Sequence, residues 1–132
     1  LDHIGIVVRS LEEGLAFYQA LGLVEKGREE VPEQGVRVAF LPAGEARLEL
    51  LEPTGPDSPI ARFLERRGPG IHHICLQVSD IRSTMDRLRG EGFELLSDEP
   101  QAGAHGSLVC FVHPRSAGGV LLELSQRGAG EG

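Results

Sequence analysis

Residues 1–8 read LDHIGIVV and residues 71–78 read IHHICLQV, so the chain writes its opening strand twice. His3 falls on His73, Ile4 on Ile74 and Val8 on Val78, all at a spacing of 70, and Gly22 falls on Gly92 at the same spacing. AFLP at 39–42 resembles CFVHP at 110–114, and ARLELLE at 46–52 resembles VLLELSQ at 120–126. Glu49 thereby meets Glu123 at a spacing of 74, a drift that loop insertions of about four residues explain. Few folds accommodate such a pattern: the chain must be two copies of one supersecondary unit.

Each copy predicts the same order of elements. A strand at about 1–8 leads to a helix at about 11–20, with Ser10 and Glu13 in capping-box spacing. The second copy has a strand at about 71–78, Asp80 as N-cap and a helix to about Arg89. Gly22 and Gly92 follow the helix ends, where a left-handed residue closes the last turn most cheaply as glycine. Strands follow at about 36–41 and 46–51 in one copy and at 107–112 and 119–125 in the other, with shorter strands near 23–29 and 93–97. Ser58 and Pro59 open a linking helix over 59–67, and 68–70 form the hinge into the second copy. The expectation is one α+β domain of two βαβββ modules, about 1–52 and 71–126, joined by a helical linker at about 53–70, with a tail that frays from Gly128.

At 132 residues the chain has the length of one compact domain. Its longest apolar runs, Ile4–Val8 and Val120–Leu122, are far too short for a bilayer, and no signal peptide is legible, although the chain does not begin with Met. Net charge is −7 with the 13 basic residues scattered, which argues against nucleic acid as a partner but leaves room for a small anionic ligand. Cys75 and Cys110 sit in apolar strands without a CxxC, as reduced core thiols of a cytoplasmic protein do.

Strand alternation sorts the polar residues. Ile4, Ile6 and Val8 point one way and His3, Gly5 and Val7 the other; in the twin, Ile74, Leu76 and Val78 face the core, opposite His73, Cys75 and Gln77. Leu48 and Leu50 flank Glu49 as Leu122 and Leu124 flank Glu123, so each module places one His and one Glu on the face away from its apolar core. A single strand Glu or His is usually structural or solvated. The same pair at matched places in both copies points to a shared divalent ion of borderline softness: Co2+, Zn2+, Mn2+, Ni2+ or Fe2+. His72 lies out of this register, aligned with Asp2 toward the core side or module seam. His105 in GAHG, and His113 and Arg115 in HPR, are weak substrate-contact candidates in loop-like surroundings.

Several stretches resemble the methylmalonyl-CoA epimerases of the vicinal oxygen chelate superfamily. They are LDHIGIVV, PEQGVRVAFLP, ELLEPTGPDSPIARFLERRGPGIHHICLQV, GAHG and FVHPRSAGGVLLEL, which together span Leu1 to about Gln126. EQGV, PDSPIA and the GGVL stretch are the most specific of these. The resemblance implies a cupped mixed sheet, one divalent ion per chain (Co2+ favoured) held by His3, Glu49, His73 and Glu123, an acyl-CoA substrate of propionate metabolism, and a cytoplasmic homodimer. It further implies epimerisation of (2R)- and (2S)-methylmalonyl-CoA by alpha-proton removal and return through a metal-stabilised enolate. Some members carry Gln at the place of Glu49 and an added acid where this chain has Val38, so Glu49 and Glu123 are the catalytic pair expected here. Two alternatives belong to the same superfamily: a glyoxalase I-type lactoylglutathione lyase, and a metal-free small-molecule-binding protein. The latter's aromatic groove fits poorly a chain with no Trp, one Tyr and five Phe.

Overall fold

The structure is a computed structural model and describes residues 1–128. It divides into two units, His3–His72 and residues 1–2 with 73–128. The expected fraying of the tail concerns residues 129–132, which lie outside the described residues, apart from Gly128 itself. None of the described helices is long and apolar enough to cross a membrane.

The first unit contains β1 (His3–Val7), α1 (Leu11–Ala20), β2 (Arg28–Val31), β3 (Val36–Ala43), β4 (Ala46–Pro53) and α2 (Pro59–Arg67). Its sheet runs β2-β3-β4-β1; β1 is parallel to β4 and the other pairs are antiparallel. Ser10 starts α1 as expected, accepting the Glu13 N–H at 3.2 Å. Leu11 and Leu15 of α1 then pack on Val8, Ala39, Leu41 and Leu50, the apolar face of the sheet. Gly14 permits this close approach, because a Cβ there would come within 2.7 Å of Val8 Cγ1. Ser58 caps α2 by accepting the Ile60 N–H, and its own hydroxyl donates to Gly35 O at 2.7 Å. The linking helix therefore forms over the expected residues, and it packs on β4 and β1.

The second unit repeats the plan. Residues 74–77 of β5 (Gly70–Gln77) run parallel to β8 (Leu122–Gln126), followed by β7 (Leu108–Val112) and the short β6 (Gln101–Ala102), both antiparallel. Asp80 accepts the Ser83 N–H at 3.1 Å and starts α3 (Ile81–Gly90). Ile81 and Met85 of α3 pack on Cys110, Val112 and Leu124.

One contact is duplicated that neither strand pairing nor capping requires. The Leu11 N–H donates to Glu52 Oε1 at 2.9 Å, and the Ile81 N–H donates to Gln126 Oε1 at 2.8 Å. In each module the end of the last strand thus satisfies a first-turn amide of the helix, a donor with no partner inside the helix.

The structure corrects several expectations. The strand expected at 23–29 forms instead at 28–31; before it, only isolated bonds reach β3, from the Lys26 N–H to Phe40 O and from the Phe40 N–H to Gly27 O. The strand expected at 93–97 reduces to a single bridge, Leu95 to Val112. There the Leu96 N–H donates to Phe111 O and the His113 N–H to Glu94 O, and just past them the Arg89 guanidinium binds the carbonyls of Ser97 and Asp98. Leu76 is not core: it is 40% exposed, on a strand that α3 contacts less than it does β7 and β8. The final strand also starts later than expected, at Leu122, after a 3-10 turn at Pro114–Ser116.

Candidate metal centre

Register fixes which side chains share a face. Gly5 lies beside Glu49 in the parallel β1–β4 pair, and His3 beside Arg47; Phe40 stands opposite Glu49 on β3. His3, Arg47, Glu49 and Phe40 therefore occupy one side of the sheet, the side away from α1. His3 Nδ1 lies 3.1 Å from Glu49 Oε2, and the two residues are each only 5% exposed. Glu49 Oε2 also accepts the Arg47 Nε–H at 2.7 Å, while the Arg47 guanidinium stands 5.7 Å from the centre of the Phe40 ring.

In the second unit the same logic places His73, Phe111 and Glu123 together. Phe111 stands opposite Glu123, and the His73 ring meets Phe111 edge to face at 5.8 Å. His73 Nε2 is 3.0 Å from Glu123 Oε1, with the residues 6% and 4% exposed. The sequence-expected residues are thus paired within each module as His3 with Glu49 and His73 with Glu123. The two pairs use different imidazole nitrogens, Nδ1 in one and Nε2 in the other.

Such pairs have the donor chemistry of a divalent-ion site. Adjacent ligands on an octahedral ion with bonds of about 2.1 Å stand about 3.0 Å apart, close to the observed separations. A cation would also offset the cost of burying carboxylates. The three weaker candidates behave differently. His113 Nδ1 accepts the Arg115 N–H at 3.0 Å and so caps a turn, and Arg115 pairs with Glu94 at 3.2 Å on the surface. His105 is exposed at a φ of 56°, a left-handed conformation that costs a non-glycine residue about 1–2 kcal/mol. His72 packs its ring on Phe63 at 5.1 Å.

Cys110 lies under the second pair. Burial first, and then the charge of Glu123, push its thiol up to about 11. An unfolded thiol ionises near 8.5, so between these values the folded chain binds more protons than the unfolded one, and stability falls as pH rises through that window. Urea midpoints at pH 7.5 and pH 10 should therefore diverge less in Cys110→Ala than in the parent chain. Equal divergence would remove the thiol as a cause.

Sequence reasoning passed over Arg47 and the two phenylalanines. The signal was present: Arg47 is two residues from Glu49 on one strand and must share its face.

Residues 2–111 match the family model of the Glyoxalase/Bleomycin resistance protein/Dioxygenase superfamily. Human mitochondrial methylmalonyl-CoA epimerase is 44% identical over 96% of this chain and 73% of its own length. The ethylmalonyl-CoA/methylmalonyl-CoA epimerase of Cereibacter sphaeroides is also 44% identical, over 96% of each chain. The chain belongs to the methylmalonyl-CoA epimerase family. As a family member it is an isomerase. The solved methylmalonyl-CoA epimerase of Streptomyces coelicolor, a single-residue variant in complex with 2-nitronate-propionyl-CoA, shares its fold at a TM-score of 0.91 with 38% identity, over 98% of this chain and 97% of that one. The α+β class expected from the repeat is therefore the fold of the epimerases.

Proposed function

We propose that this epimerase interconverts (2R)- and (2S)-methylmalonyl-CoA, with His3, Glu49, His73 and Glu123 holding one divalent ion. The observation that carries the reading is the buried His/Glu pair repeated in both modules, with ligand atoms 3.1 and 3.0 Å apart. A bound ion would supply Lewis acidity, stabilising the negative charge that reaches the thioester oxygen when C2 loses its proton. We favour Co2+ among the ions that imidazole and carboxylate suit. The reading takes the chain as one two-module domain and includes a cytoplasmic homodimer, both resting on the repeat and the family.

Inversion at C2 needs one group to take the proton and another to return one from the opposite side. Glu49 and Glu123 are the carboxylates at matched places in the two modules. Val38 lies on the same sheet face as Glu49 and is 3% exposed, so it gives this module no second acid.

Incubation of either epimer in D2O should carry deuterium into C2 as the epimers interconvert, read by NMR and mass spectrometry. Turnover of the methylglyoxal–glutathione adduct with no action on the acyl-CoA would instead establish the lyase reading.

A further inference from the structure

The two ligand pairs are not equivalent, and Arg47 is what separates them. Two residues before Glu49 the chain has Arg47; two residues before Glu123 it has Leu121, which brings no charge and no hydrogen-bond donor from its side chain. The Arg47 Nε–H reaches Glu49 Oε2, the oxygen that also faces His3 Nδ1. Its guanidinium is braced from one side by the Phe40 ring. A glutamate has three side-chain torsions to fix, and ordering them has an entropic cost. A charge-assisted bond from a braced donor removes that freedom before any ion arrives.

This contact differs from the other Arg–carboxylate pairs of the first unit. Arg28 and Arg37 have side chains 40% and 43% exposed, whereas Arg47 is 29% exposed and its partner only 6%. Solvated pairs contribute little, but a pair with a buried carboxylate is screened far less.

We propose that Arg47 is a positioning residue for the metal centre: its bond to Glu49 Oε2 sets the carboxylate so that the first module presents a preformed His3–Glu49 ligand pair. The proposal rests on the metal reading above. Outer partners of metal ligands typically change affinity by about 10–100-fold when removed. The second module has no counterpart to this residue at Leu121, so its pair must be held by other means, among them the His73–Phe111 contact.

The test is Co2+ affinity, measured by competition with a chelator on metal-stripped protein. Arg47→Met keeps the apolar stem over Phe40 and deletes the donor. Its Co2+ dissociation constant should rise about 10–100-fold, and the metal-free form, still folded at the assay temperature, should melt somewhat lower because the buried Glu49 carboxylate loses its cationic partner. Arg47→Lys, which restores the charge but not the planar fork, should recover part of the loss. An Arg47→Met affinity within about twofold of the parent, well short of that range, overturns the inference, as does a loss that Arg47→Lys leaves wholly unrelieved. A parent chain that binds no Co2+, Zn2+, Mn2+, Ni2+ or Fe2+ removes the metal reading itself and the inference with it.

Discussion

Replacing Glu123 by Gln should lower epimerisation by about 10²–10⁴-fold, the range for loss of one positioned acid/base group, while most of the bound Co2+ is retained. The amide keeps an oxygen of nearly the same shape in the place that lies 3.0 Å from His73 Nε2, but it cannot take a proton. Glu49 is untouched by the change, so one epimer should still exchange its C2 proton for deuterium without inverting. Coupled turnover, metal analysis and deuterium wash-in on each epimer separate these effects. Glu49→Gln should show the opposite epimer preference. Full activity in Glu49→Gln would make Glu49 a ligand only, and would place the second base on another group.

Leu50→Ala should destabilise the chain by about 2–5 kcal/mol, as large-to-small changes in a closed core do. Leu50 has no exposed surface, and it packs within the cluster formed by α1, β3 and β4. Leu76→Ala should stay below about 1 kcal/mol, although the period-2 pattern makes both residues core. Urea unfolding of the metal-free variants gives both values on one scale. A costly Leu76→Ala would mean that something beyond α3 covers β5.

The fold was legible because the repeat constrains it twice. Each helix announced itself through a cap, and Ser10, Ser58 and Asp80 all accept the expected amides. The His and Glu positions were legible for a similar reason: alternation on a strand admits only two faces. What alternation cannot convey is which strands a helix covers. Leu76 has the right period, but its exposure depends on where α3 lies across the sheet. The segment at 93–97 failed for another cause. Its pairing with β7 is confined to the bridge at Leu95, and past it the carbonyls of Ser97 and Asp98 bind the Arg89 guanidinium rather than a strand. Arg47 carries a weaker signal, since an arginine at the start of a strand usually faces solvent. Its contact with Glu49 depends on a rotamer that the sequence does not specify.

The paired strand-to-helix contacts give each module its own reporter of opening. First-turn amides of a helix ordinarily exchange with solvent quickly, since nothing within the helix binds them. Here the Leu11 and Ile81 amides are engaged by Glu52 and Gln126 from the far end of each module. Their protection lasts only while helix and final strand remain together. Hydrogen exchange at these two sites therefore clocks the separation of α1 from β4 and of α3 from β8 independently. Equal rates would mark the two halves as a single cooperative unit; unequal rates would identify the half that opens first.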